Sequence, residues 1–482
     1  MQNNQAKLLE RAEKEIEKNK ATVESDPYRL TYHIAPPVGL LNDPNGLIYF
    51  KGEYHVFYQW YPFATAHGVK FWFHVTSKDL IHWDKKPIAL APGDWFDKNG
   101  CFSGSAIEHS GNMYLFYTGN VRNLKGERVT YQCLAVSNDG ITFKKIGPLF
   151  AVPPGYTAHF RDPKVWKYQG RWYMILGAQT IKKKGSAVLF LSLDLVNWEF
   201  IGPISGANKN SLKDFGYMWE CPDLFRLNGA DVLLVSPQGL RADGYLYHNL
   251  YQTGYFTGHL DYQTFQYYHS PFTELDRGFD FYATQTMQDP KGRRILFAWM
   301  GLPEENEMLH PTIPYKWIHA LTIPREIHLR NGRLYQKPVE ELKKLRKSKN
   351  FFPKAVLHGL SASFTKISGI TFELLVEDIE ISGRWFSICF RGEAKLLYDL
   401  KKRLAIVERE QFDKQGKERR TCYLRRLEKV QVFGDRSSLE IFINDGEEVF
   451  TLRYFPDQKN TDILFSTDTM MTASVTKWDL QA

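Results

Sequence analysis

Three carboxylates at matching points of a repeated pattern carry the chemistry open to this chain. Asp43 sits in Asn42-Asp43-Pro44-Asn45-Gly46, Asp162 in Phe160-Arg161-Asp162-Pro163, and Glu220 in Trp219-Glu220-Cys221-Pro222-Asp223. A glycosidic bond is cleaved by two such groups, one ionised and one protonated, through an oxocarbenium-like transition state. Asp43 has amide donors Asn42 and Asn45 on either side. Hydrogen bonds to the charged form keep a carboxylate ionised, so Asp43 reads as the nucleophile. Glu220, between Trp219 and Cys221, is expected to be desolvated and raised further by the charge on Asp43. It then holds a proton near neutral pH and serves as acid and base. Asp162, beside Arg161, reads as the acid that binds sugar hydroxyls and stabilises the transition state. No metal-ligand histidine spacing lies nearby, and this chemistry needs no metal or organic cofactor. A lone acid in any of these stretches is more commonly a cap or turn residue, and Asp-Pro recurs at Asp26 and Asp289. What lends the three weight is their place in a repeat.

The repeat is a hairpin. It reads GLIYFKGEYHVFYQW from Gly46, SAIEHSGNMYLFYTG from Ser105, PKVWKYQGRWYMILG from Pro163, PDLFRLNGADVLLVS from Pro222 and TMQDPKGRRILFAWM from Thr286. Each has two runs rich in β-branched and aromatic residues around a turn glycine. Those glycines, Gly52, Gly111, Gly170, Gly229 and Gly292, are 59, 59, 59 and 63 residues apart. A second pattern falls between them: TSKDLIHWDKKP, VSNDGITFKKIGP, LSLDLVNWEFIGP and a weaker LDYQTFQYYHS. An inner hairpin plus an outer pair makes four antiparallel strands per repeat, and five such sheets around an axis predict a five-bladed β-propeller. Asp43, Asp162 and Glu220 lie nine, eight and nine residues before their turn glycines, at the start of each first strand. The second and fifth repeats carry Phe102-Ser103-Gly104-Ser105 and Ala283-Thr284-Gln285 there. First strands line a propeller's axis, so the three acids should converge on one cavity.

The rest of the chain frames this unit. Residues 5–19 predict a short amphipathic helix, with Leu8, Ala12 and Ile16 at four-residue steps, broken at Ser25-Asp26-Pro27. We expect an N-terminal extension over 1–27, the propeller over 28–330, a linker with a short helix over 331–349 and a β-sandwich over 350–482, where short strands follow one another without a helical period. The fold class is thus all-β. Net charge is +8, with both signs interspersed, which speaks against a nucleic-acid surface. Five cysteines without close pairs argue against a disulfide framework or a zinc site. The polar N-terminus lacks the apolar stretch of a signal peptide, and no apolar run reaches membrane-spanning length, so a cytoplasmic location and no membrane partner are expected. The oligomeric state is left open.

The ordered set of motifs resembles glycoside hydrolase family 32, the invertases and β-fructofuranosidases. It comprises residues 42–46, 102–105, 161–163 and 220–223, Tyr251 to Phe256, Leu275 to Ala283, Trp299-Met300-Gly301, Leu321 to Glu326 and Glu440 to Gly446. The resemblance implies retaining hydrolysis of a β-fructofuranoside with the roles given above. It also implies fructose binding by Asn42, Gln59, Phe102, Ser103 and Arg161, with Trp317 as a wall. Residues 65–70 and the leading charged helix resemble the bacterial sucrose-6-phosphate hydrolase subgroup. Its phosphorylated sugar calls for a cation, for which Lys70, Arg277, Lys316 and His319 are candidates. Two departures, Leu40-Leu41 where Trp-Met is frequent and Phe73 where Gly is usual, are expected near the pocket rim. Other readings of the same acids are a fructan exo-hydrolase, an inverting arabinan-type hydrolase and a sugar-binding propeller without catalysis.

Overall fold

The structure, a computed structural model, describes residues 2–209, 212–304, 306–359 and 367–481. Five antiparallel sheets follow one another along the first part of the chain. Their inner hairpins pair Gly39–Phe50 with Glu53–Tyr61, Cys101–His109 with Asn112–Arg122, Tyr156–Tyr168 with Arg171–Thr180, Met218–Leu227 with Ala230–Gln238, and Tyr282–Gln288 with Arg294–Met300. All five turn glycines have positive φ, between 77° and 89°. Lys51, Ser110, Gln169 and Asn228 just before them are also left-handed. Two successive left-handed residues make the type I′ turn, whose twist matches that of paired strands.

Outer strands complete each sheet, and their turns repeat as well. Asp79, Asp139, Asp194 and Asp261 each accept backbone N–H groups from two and three residues further on. This is the physical content of the second sequence pattern: the aspartate closes the turn with its own side chain. In the fifth sheet the outer pair is Arg325–Arg330 with Arg333–Pro338. Glu340–Leu345 then forms a 3-10 turn that buries Leu342 and Leu345.

The five inner strands touch in chain order, and the fifth returns to the first. Apolar clusters fill the space between neighbouring sheets: Phe57 and Leu115, Phe116 and Met174, Ile175 and Phe256, Leu234 and Leu296. The cluster that closes the circuit joins Val56 and Phe297 and takes in Ala12 of the Gln2–Glu24 helix. That helix is longer than the sequence pattern predicted and packs on the body as expected.

The last third forms a β-sandwich of a six-stranded and a five-stranded sheet around a shared apolar core. Several motif residues turn out to lie where the sandwich meets the first unit. Arg325, fully buried, reaches Glu440 at 2.5 Å, Asp276 at 3.0 Å and Thr451 Oγ1 at 2.6 Å. His33 bridges Asp435 at 2.9 Å and Glu440 at 3.1 Å. Gly278 is required by close approach, since a Cβ there would sit 2.0 Å from the Thr451 carbonyl oxygen. Among the described residues no helix is long and apolar enough to cross a membrane.

Candidate active site

Every inner strand is interrupted by a register shift, between Leu41 and Pro44, Phe102 and Gly104, residues 161 and 164, Glu220 and Asp223, and Tyr282 and Gln285. Asp43 and Asp162 therefore lie within bulges of their strands and Glu220 at the edge of one, all beyond the strand starts. In a regular strand a one-residue offset sends side chains to opposite faces. The eight-residue spacing of Asp162 against nine for the other two is reconciled by the bulges, which re-aim side chains. Asp162 itself has φ of +66°, whereas in the next sheet the left-handed residue is Cys221, one position after Glu220. Aspartate tolerates this region better than most residues.

All three acids line one cavity of about 630 Å³, together with Asn42, Gln59, Phe102 and Arg161. Ser103 Oγ donates to Asp43 Oδ2 at 2.5 Å and accepts from Gln59 Nε2 at 2.6 Å. Asn42 Nδ2 donates to Asp43 Oδ1 at 3.0 Å and to Gln59 Oε1 at 2.8 Å. Asn45, expected as a second donor to Asp43, instead accepts the Gly104 N–H and links two inner strands. Cys221 joins the acids: its N–H donates to Asp162 Oδ2 at 2.9 Å, and its sulfur lies 3.7 Å from both Asp43 Oδ2 and Asp162 Oδ2. Arg161 forks onto Glu220 Oε1 at 2.9 and 2.6 Å, while Tyr282 and Gln238 donate to Oε2 at 2.6 and 2.7 Å.

The charges do not rank as the sequence suggested. Burial raises Asp43, and the charge of Glu220 adds to this, against hydrogen bonds from Ser103 and Asn42 and the cation Lys70. Burial also lifts Asp162, to about 7, with Arg161 opposing and the charges of Glu220 and Asp43 assisting. Glu220 is half-buried, yet Arg161 and the Tyr282 hydroxyl outweigh its desolvation and hold it below the usual glutamate range. The expected protonated Glu220 is thus corrected: its neighbours favour the ionised form. The sequence showed its apolar neighbours and not the guanidinium brought from the adjacent sheet.

Trp317 is also corrected. It is fully buried away from the cavity, donates to Asp26 Oδ2 at 2.6 Å, and lies beneath Arg29 and Arg453. Its short strand pairs with the outset of the first inner strand, which carries the side chain into the join between helix, sheet and sandwich. The aromatic wall comes instead from Trp299, Tyr251, Tyr282 and Phe102. Leu40, Leu41 and Phe73 are core residues with no place on the rim; Phe73 stacks on Tyr58. Of the cations considered for a phosphate, Lys70 alone lines the cavity. Its Nζ lies 3.0 Å from His67 Nδ1, and burial draws its pKa down to about 7 against the charges of Asp43 and Glu307. Arg277 is engaged by Glu274 and Glu448, and His319 by Glu307.

Comparisons with known proteins give the family of the chain. Residues 33–338 match the N-terminal domain of glycosyl hydrolases family 32, and residues 341–480 match its C-terminal domain. The chain belongs to glycosyl hydrolases family 32. It is 53% identical over 473 residues to a sucrose-6-phosphate hydrolase of Bacillus subtilis, covering 98% of each chain. The solved structure of a sucrose-6-phosphate hydrolase from Lactobacillus gasseri superposes with a TM-score of 0.86 at 33% identity, over 97% of this chain and 96% of that one. A family 32 β-fructofuranosidase of Bombyx mori, solved as a variant in complex with sucrose, gives 0.86 at 35% identity over 98% of both chains.

Tyr282, Gln238 and Cys221 are site residues that sequence reasoning did not assign. Tyr282 and Cys221 had a signal, since each adjoins the bulge of an inner strand. Gln238 had none: it ends the second strand of its hairpin and reaches Glu220 only through pairing.

Proposed function

We propose that this family 32 hydrolase cleaves the β-fructofuranosidic bond of sucrose 6-phosphate and releases fructose. The gathering of Asp43, Asp162 and Glu220 around one cavity is the observation that carries the reading; the names of the similar proteins supply the substrate. Asp43 attacks the anomeric carbon of the fructosyl unit and forms a covalent ester, while Glu220 protonates the departing oxygen. Glu220 then takes a proton from water, which hydrolyses the ester with overall retention. Asp162 and Arg161 hold fructose hydroxyls, and Asn42, Gln59, Phe102 and Ser103 complete the seat. Five sheets with touching inner strands support a five-bladed propeller followed by a linker and the sandwich; the fifth sheet runs on to Pro338 and the sandwich opens at Arg346, so the linker is shorter than the expected 331–349. A phosphorylated sugar is consistent with action in the cytoplasm.

Glu220 must gain a proton to act as an acid. Substrate binding supplies a route: sugar hydroxyls draw the Arg161 guanidinium toward themselves and exclude water, removing the charge that lowers Glu220 and strengthening burial. The test is kinetics on sucrose 6-phosphate and sucrose side by side, with NMR of the first-formed fructose anomer. We expect preference for the phosphorylated sugar, initial β-fructose, and loss of turnover in Asp43→Ala and Glu220→Gln. Undiminished activity in either variant, or an inverted anomer, contradicts the mechanism.

A further inference from the structure

Arg122 and Arg128 face each other in register across the second and third strands of the second sheet. Both line the cavity wall. Like charges directly opposed on paired strands repel. Among the described residues neither arginine forms an ion pair: Arg122 donates to the Gly126 carbonyl at 2.9 Å, and Arg128 stands 5.6 Å over the Phe102 ring and 3.5 Å from His159 Nδ1. The acid between them in sequence, Glu127, is held by Asn123 Nδ2 at 2.9 Å in the hairpin tip. Burial, then the charges of Arg161 and Arg122, draw the pKa of Arg128 down to about 10, against a smaller opposing pull from Glu220.

The other cations of the cavity are already engaged. Arg161 serves Glu220 and Asp162, and Lys70 contacts His67 and feels Asp43. The exposed acid of the wall, Glu304, lies by Tyr251, whose hydroxyl feels its charge.

We propose that Arg122 and Arg128 form the seat for the phosphate on the glucose unit, and so set the preference for the phosphorylated sugar. This rests on the reading of sucrose 6-phosphate as substrate. A phosphate between two guanidinium forks converts their repulsion into charge-assisted hydrogen bonds, a geometry for which arginine is suited and lysine less so. Phe102, beneath Arg128, ties this seat to the fructose site.

The experiment compares kcat/KM for sucrose 6-phosphate and for sucrose in the wild type, Arg122→Gln, Arg128→Lys and the double Gln variant. The ratio of the two values is unaffected by the folded fraction. We expect it to fall roughly tenfold to a hundredfold for each arginine lost, as for hydrogen bonds to a charged group, and to fall less in Arg128→Lys. Added salt should depress the sucrose 6-phosphate value more than the sucrose value in the wild type, and this difference should shrink in the double variant. A double variant with the wild-type ratio overturns the seat while leaving the substrate reading in place. A wild type without preference for the phosphorylated sugar overturns the substrate reading, and the seat with it.

Discussion

Replacing Asp162 by Asn should make the protein more stable while disabling it. Asp162 is almost wholly buried, near two other carboxylates, and its pKa is raised from 3.8 to about 7. A carboxylate whose folded pKa exceeds its unfolded one destabilises the fold when ionised. The penalty is absent below the unfolded value, grows as pH rises between about 4 and 7, and is complete above that. At about 1.4 kcal/mol for each pH unit, the full penalty is about 4 kcal/mol. Asparagine is neutral throughout and can still accept the Cys221 N–H through Oδ1. The attraction of Arg161, 4.0 Å away, is already contained in the value of about 7 and takes nothing further from the gain. Urea unfolding followed by tryptophan fluorescence at pH 5 and pH 8 measures the effect. The variant should gain several kcal/mol over the wild type at pH 8 and under about 2 kcal/mol at pH 5. Its kcat/KM should drop by about a hundredfold to a thousandfold, the scale for losing a preorganised electrostatic partner of the transition state. A stability difference that does not change with pH, or a variant weaker than the wild type at pH 8, refutes the reasoning.

Two further outcomes follow from the geometry. Ser103→Ala removes the 2.5 Å donor to Asp43, and kcat/KM on sucrose 6-phosphate should fall roughly tenfold to a hundredfold, read in a steady-state assay beside the melting temperature. Arg325→Met strips the shared cation from Asp276 and Glu440 where the sandwich meets the first unit; urea unfolding should show a loss of about 3–5 kcal/mol, and a loss under about 1 kcal/mol would mean the buried network contributes little.

Much of the site was legible because repeats are legible. Glycines at a constant spacing, with aspartates that close the outer turns, report local backbone conformation, and local conformation is written in neighbouring residues. Asp43, Asp162 and Glu220 could be aligned for that reason. Leu275 to Ala283 and Glu440 to Gly446 were recognisable as motifs, yet their chemistry was not. Asp276 and Glu440 are ionic partners of Arg325 in the core. Trp317, read as a wall, stacks with Arg29 and Arg453 instead. Nothing near these residues in sequence announces partners that lie tens to hundreds of positions away.

By itself the amino-acid order determined an all-β chain, its period, the three acids and the family. Those rest on alternation, turn chemistry and motif spacing, all short-range. Only the tertiary structure decided which neighbours each charge meets. The Arg161 fork on Glu220, the thiol between Asp43 and Asp162, and the opposed pair Arg122 and Arg128 come from pairing across strands and between sheets. A carboxyl group's protonation follows the charges and solvent that surround it in space, and folding assembles those surroundings from remote parts of the chain.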